Sequence, residues 1–255
     1  DPQALSRRIR SDPRFTPRER IAALQLTLDP SPPPLSFARD PFDGFAWESD
    51  GSDGHVRVPP HESLRMTSRF TVEAWVQPYA LPSGLLDYGV VFNKEGEYQV
   101  VLSGEGEIWW IIAGPDGWDE PWKRARYRTA AGVWTHIALV RDGSTVRLLV
   151  NGRVAEERAV PAVMGDHHPA MDDFRIGGRQ HTPTGFRGRI DEVRIWAVAR
   201  SPEEIRAGMR ARIPADAEGL LAAWSFDEGA GSRASDVTGR HTGTVVGGRW
   251  SPTTR

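Results

Sequence analysis

The sequence predicts an all-β fold, a sandwich or barrel of antiparallel strands with little helix. Three observations lead there. Short segments of alternating apolar and polar residues, rich in Val, Ile, Thr and aromatics, recur from about residue 36 onward at the roughly 8–12-residue spacing of such folds. Glycine-bearing turn signals separate them, and Asp142-Gly143-Ser144 and Asn151-Gly152 are strong hairpin markers. Against these, two capping boxes stand out as helix starts.

Composition narrows the classes. The chain has 255 residues, room for one large β domain or two small ones. Its net charge of −2 gives no global field toward nucleic acid. Lys94 and Lys123 are the only lysines, and this arginine bias reads as genome composition rather than function. Cysteine is absent, which excludes disulfides, thiolate metal sites and a cysteine nucleophile. No apolar run approaches the roughly 18 residues of a membrane span. The first residue is Asp1 rather than Met, which reads as a processing or excision boundary and leaves room for an upstream export signal.

Taken in order, residues 1–35 differ from the rest. Thr16-Pro17-Arg18-Glu19 is a capping box followed by Ile21, Ala22, Leu24 and Leu28, which predicts a helix at about 17–27. Ser31-Pro32-Pro33-Pro34 then imposes an extended connector. This gives an N-terminal helical arm over 1–35, packed on the flank or joining a neighbour, and a β domain over 36–255. Strands are expected at 55–58, 69–77, 88–93, 97–103, 107–113, 124–129, 133–141, 145–151, 154–160, 173–177, 188–197, 220–226 and 243–246. In 188–197, Val193 and Ile195 share one face, and Glu192, Arg194 and Trp196 the other. Ser201 as N-cap, Pro202 at the first helical position and Glu204 closing a capping box predict a short helix near 202–210.

Several motifs then stand together in order: Val56-Arg57-Val58-Pro59, Phe70-Thr71-Val72-Glu73-Ala74-Trp75-Val76-Gln77-Pro78, Gly132-Val133-Trp134-Thr135-His136-Ile137-Ala138-Leu139-Val140, Leu148-Leu149-Val150-Asn151-Gly152, and the stretch 188–196. Over about 42–247 the chain resembles a laminin G-like jelly roll of the concanavalin A-like lectin/glucanase superfamily. The resemblance implies two antiparallel sheets stacked face to face, one of them concave. Gly219–Gly229, Asp236-Val237-Thr238-Gly239 and Gly243-Thr244-Val245 resemble it too. They are read as closing this sandwich rather than opening a second unit, since too little chain remains for another core.

The resemblance raises two chemistries. Some relatives hydrolyse glucans, which needs paired carboxylates on one face of a strand. Asp191 and Glu192 are adjacent, and a regular strand sends them to opposite faces, so hydrolysis ranks last. Ion pairs with Arg189 and Arg194 suit them better. Relatives also hold a structural calcium, for which Asp191, Asp227, Glu228 and Asp236 are the candidate ligands. Arg240, standing where relatives often carry Asn, counts against that site. The acidic run Asp40, Asp43, Glu48, Asp50 and Asp53 lacks the terminal Glu of a calcium loop and reads as a solvated turn. His167-His168 supplies too few ligands for a metal and His136 reads as structural. No Ser-His-Asp pattern or phosphate loop is present.

Aromatics carry the remaining signal. Trp109 and Trp110, adjacent on a strand, face opposite ways, so one of them leaves the core. Trp118 and Trp122 lie in a polar loop with Asp116, Asp119 and Glu120, which suits sugar binding: C–H groups stack on the rings and hydroxyls bond the carboxylates. The same tryptophans also suit anchoring of a sheet edge. Tyr127, His181, Phe186 and Arg187 are candidates for the same end. The expectation is a non-catalytic module that binds a glycan or a protein partner, within a larger exported or cell-surface assembly. The alternative is a structural module docking neighbouring subunits, with a glycoside hydrolase last.

Overall fold

The computed structural model describes residues 43–79, 88–118, 122–180 and 184–253, all within the compact unit Ser36–Arg255. The expected helix at 17–27 and its proline-rich connector lie outside the described residues, as do Asp119, Glu120 and His181.

The strands are β1 (Gly44–Asp50), β2 (His55–Val58), β3 (Arg69–Pro78), β4 (Tyr88–Lys94), β5 (Tyr98–Ser103) and β6 (Glu107–Gly114). They continue as β7 (Gly117–Trp118), β8 (Lys123–Arg128), β9 (Thr135–Asp142), β10 (Thr145–Val150), β11 (Arg153–Ala159), β12 (Phe174–Ile176) and β13 (Arg187–Trp196). After the helix α1 (Pro202–Gly208) come β14 (Leu220–Trp224), β15 (Arg233–Ala234), β16 (Gly243–Val246) and β17 (Arg249–Thr253). Two antiparallel sheets form a sandwich, as expected for a jelly roll. The eight-stranded sheet runs β11-β10-β9-β3-β13-β1-β17, with β14 also pairing β13. The nine-stranded sheet runs β15-β16-β2-β12-β4-β5-β6-β7, with β8 also pairing β6.

The turns follow their residues. Thr145 pairs with Asp142 across Gly143-Ser144, and Gly143 has φ 60°. Arg153 pairs with Val150 across Asn151 (φ 50°) and Gly152 (φ 72°), the two left-handed positions a tight hairpin of matching twist requires. α1 starts at the expected capping box: Ser201 Oγ accepts from Glu204 N and Glu204 Oε2 from Ser201 N. Its Ile205 packs on Ala138, Val140 and Leu149, so α1 lies on the outer face of the eight-stranded sheet.

Between the sheets lies one continuous core that includes Trp47, Phe70, Val72, Phe92, Tyr98, Val100, Trp110, Leu139, Leu148, Phe174 and Trp224. Each fully buried Val, Leu, Ile or Phe contributes roughly 1.5–3 kcal/mol. β14, β16 and β17 pair with β13, β2 and β1, so the segment after Gly219 closes this sandwich.

Two expectations need correction. Gly44–Asp50 is a strand, not a solvated acidic turn. Trp47 fills the core, and Glu48 is buried under Tyr79, Arg189 and Arg249. The turn proper is Asp50–Gly54, where Asp50 Oδ1 accepts from Ser52 N and Oγ. Second, β13 is not regular. Asp191 pairs with Trp75 and Arg194 with Glu73, so β13 carries one extra residue there. Glu192 is the bulge, at φ 48°. The sequence spacing explains it: Ile190, Val193 and Ile195 all enter the core, and a flat strand cannot bring positions three apart to one face. Val193 and Ile195 do share the inner face, and Trp196 lies outside it with Leu220 and Ala223.

Candidate functional site

The two sheets treat their outer faces differently. On the eight-stranded sheet the outer face is closed by α1 and the segment after it. Trp75 Nε1 donates to Met209 O (2.7 Å), and Arg194 donates to Gly208 O and Ala211 O (both 2.9 Å). Beneath them Glu73, with no exposed surface, accepts from Trp196 Nε1 (2.8 Å) and faces His136 Nε2 (3.2 Å). Burial alone raises the Glu73 pKa. The hydrogen bond and charge of His136, then Arg194 and Arg200, overturn this and hold it at about 2. This is a charged seam under a cover.

The outer face of the nine-stranded sheet carries a band of polar and aromatic groups. Strand register builds it. Ile176, Phe92, Val100 and Trp110 align across the sheet and point into the core. The flanking row therefore points out: Arg57, Arg175, Asn93, Gln99 and Ile111. After β12, Gly177 turns the chain at φ 79°, a position where a Cβ would lie 2.2 Å from the Trp47 ring. That turn brings Arg179 and Gln180 back over the band, where Arg175 Nη1 donates to Arg179 O (3.0 Å).

The contacts run continuously. Asp173 Oδ2 accepts from Arg175 Nε (2.8 Å) and Arg57 Nε (3.2 Å). Its Oδ1 accepts from Gln180 Nε2 (2.8 Å). Asn93 Nδ2 donates to Gln180 Oε1 (2.8 Å) and Glu95 Oε2 (3.2 Å). Arg179 forks onto Glu95, at 2.6 and 3.2 Å, and reaches Tyr88 OH with Nη1 (3.3 Å). The Tyr88 ring lies 6.2 Å from the Trp122 ring. Asn93 and Gln99 are 0% and 1% exposed, yet Asn93 Oδ1 and Gln99 Nε2 have no hydrogen-bond partner. Farther along, Arg124 stacks 4.3 Å over Trp109, whose Nε1 donates to Glu107.

The electrostatics are those of a fixed polar surface. Burial raises the Asp173 carboxyl, but hydrogen bonds from Arg175 and Gln180, then the Arg175 and Arg57 charges, hold it below the usual range. Burial lowers Arg179, and Glu95 more than restores it. Half-buried aromatic rings beside a forked Arg–Glu pair can take an uncharged polyol: ring faces for C–H groups, the pair's fixed donors and acceptors for hydroxyls.

The expected residues are placed as follows. Trp122 is on this band. Trp118, in β7 opposite Ala113, is half-buried and packs against the core. Asp116 is exposed in the turn before it. Tyr127 and Phe186 pack on the core and Arg187 pairs with Asp50 in the other sheet, so these three do not join Trp122. Trp109 and Trp110 part as expected, Trp110 buried and Trp109 outward. No motif in the sequence marks Tyr88, Asn93, Glu95, Arg175, Arg179 or Gln180. Their one signal is a polar residue breaking an apolar strand, as in Phe174-Arg175-Ile176, and alone that reads as solvated.

The acidic candidates are likewise dispersed in their bonding. Both oxygens of Asp236 are taken: Oδ1 by Ala223 N and Thr238 N, Oδ2 by Arg240 N, His241 N and Thr238 Oγ1. Asp227 accepts from Phe45 N and Arg212, and Glu228 Oε1 from Ser235 N. Asp191 Oδ1 accepts from Glu192 N, while Glu192 holds Arg194 and Arg212, both at 2.8 Å. Among the described residues, the carboxylates that could hold a metal ion are instead Glu97, Asp166 and Asp172, with ligand atoms within 4.8 Å of one another. A cation already stands there: Lys94 Nζ is 2.6 Å from Glu97 Oε1 and bonds Asp172 Oδ1, while Arg65 holds Asp172 Oδ2 at 3.0 Å.

These layers and edges define an antiparallel jelly-roll domain with one sheet covered by α1 and the other bearing a polar and aromatic band on its outer face. The chain belongs to the Laminin_G_3 family of the concanavalin A-like lectin/glucanases superfamily, matching it over residues 50–206. No curated protein matches the chain. Among solved structures it is similar to a protein of Bacteroides ovatus provisionally named as carbohydrate binding, with a TM-score of 0.66 and 22% identity. The match covers 84% of this chain and 60% of that one. Domain 4 of AbnA, an extracellular GH43 arabinanase of Geobacillus stearothermophilus solved with arabinotriose, gives 0.45 and 23%, covering 66% of this chain and 76% of that one. A heptameric SAP-like pentraxin of Limulus polyphemus gives 0.45 and 14%, covering 68% and 87%.

Proposed function

We propose that this domain is a non-catalytic glycan-binding module whose site is the outer face of the nine-stranded sheet, centred on Tyr88, Trp122 and the Arg179–Glu95 pair. The observation that carries the reading is the pairing of two half-buried rings with that fork on one outer sheet face. The Bacteroides ovatus protein, named for carbohydrate binding, shares the fold and is compatible with this use. The carboxylates Asp191 and Glu192, which a glucan-cleaving relative would need free, are committed to an amide and two arginines, in line with a binding role. We further read the module as part of an exported or surface assembly. Separately, no described helix is long and apolar enough to cross a membrane.

A glycan array followed by calorimetry tests the site. Trp122→Ala and Tyr88→Ala are expected to weaken binding at least about tenfold, one stacking contact each, with unfolding midpoints close to wild type. Full affinity in both variants would place the glycan site elsewhere on the domain, and no glycan bound together with defined oligomers in light scattering would move the domain to the subunit-docking role. Calcium, if this domain uses it, belongs at Glu97, Asp166 and Asp172, in competition with Lys94.

A further inference from the structure

The glycan face is not electrically balanced. Along the band from Arg57 to Trp122 three guanidiniums, Arg57, Arg175 and Arg179, meet two carboxylates, Asp173 and Glu95. The excess is local, because the whole chain is slightly acidic at −2. It concentrates at Arg57 and Arg175. These stand directly opposite each other on β2 and β12, an arrangement that like charges disfavour. Both are drawn onto the same oxygen of Asp173 through Nε.

One of the two is surplus to the fold. Asp173 is already satisfied by Arg175 at 2.8 Å and by Gln180. The Arg57 bond is longer, at 3.2 Å, and its side chain is 48% exposed. Among the described residues its terminal nitrogens take no hydrogen bond. Exposed ion pairs of this kind contribute little to stability, so structure alone gives weak reason for a second arginine here. A guanidinium held by Nε, with its Nη pair turned free, is the donor fork that fits a carboxylate or sulfate group. The fork is continuous with the aromatic end of the site through Arg175 Nη1–Arg179 O and Arg179 Nη1–Tyr88 OH.

Resting on the glycan-binding reading above, we propose that the ligand is an anionic glycan. One sugar lies against Tyr88 and Trp122, and the carboxylate or sulfate of a neighbouring sugar sits on Arg57 and Arg175. The neutral part of the chain is recognised by the rings and the Arg179–Glu95 pair, and the charge by the surplus guanidinium.

Calorimetry with the full chain tests this, using oligogalacturonate, the same oligomer methyl-esterified, chondroitin sulfate oligomers and a neutral arabinan oligomer. The uronate or the sulfate is expected to bind about tenfold more tightly than the methyl ester or the arabinan, the effect of one charged hydrogen-bond pair. That margin should shrink between about 50 and about 500 mM salt. Whichever of the two acids binds identifies the acidic group. Arg57→Gln is expected to remove the margin, bringing the acid to the affinity of its methyl ester, and Arg57→Lys to restore part of it; both should melt near wild type. Equal affinity for the ester and the free acid, or an acid preference that survives Arg57→Gln, would overturn the proposal with the module intact. Binding of none of these and of nothing on the array would overturn both.

Discussion

Two buried glutamates, Glu73 and Glu97, are both pushed up by burial yet end shifted in opposite directions, because their neighbours differ. Glu73 faces His136, Arg194 and Arg200 and is held at about 2. Glu97 is pushed up to about 7 by burial, which Lys94 only partly opposes. Their signs in linkage follow. Between pH about 4.5 and about 2 the unfolded chain binds a proton that folded Glu73 refuses, so stability falls as pH drops. Between about 4.5 and about 7 folded Glu97 keeps a proton the unfolded chain has lost, so stability falls as pH rises. Each limb is on the order of 3 kcal/mol at most. Urea unfolding across pH should show both, with Glu73→Gln flattening the acid limb and Glu97→Gln the neutral one. An unchanged acid limb in Glu73→Gln would contradict the Glu73 account.

At the scale of elements, Lys94 joins the end of β4 to the segment before β12 by holding Glu97 and Asp172 together. Lys94→Met leaves Asp172 with Arg65 and Glu97 to take up a proton, and is expected to cost about 1–3 kcal/mol at pH 7. Calcium should raise the melting temperature of that variant more than that of wild type, since the ammonium no longer fills the cage; equal shifts would show that Lys94 does not occupy it. The strand and helix pattern was legible because it is local: period-two alternation, Asn151-Gly152, the Ser201–Glu204 box. The bulge at Glu192 left a trace in the spacing of Ile190, Val193 and Ile195, but its meaning depends on pairing with β3. The candidate site was legible only at Trp122. Arg57 and Arg175 are neighbours through the pairing of β2 with β12, and Tyr88 meets Trp122 across a folded sheet. Side-chain period cannot supply partners that lie far apart in sequence.

At the scale of the molecule, β1 and β17 are paired with each other, Gly44 opposite Thr253 and Glu48 opposite Arg249. The described domain thus receives and releases its chain at one corner, between adjacent strands rather than at opposite poles. A domain wired in this way can be spliced into a loop of a host polypeptide without prising the host apart. It can also be re-ordered: joining Thr253 to Asp43 by a short flexible linker and opening the exposed turn between Gly104 and Glu105 should give a permuted chain with the same two sheets. Its melting temperature should lie within about 10 °C of the parent; failure to fold would mean that the β1–β17 contact holds only when both strands start from their native ends.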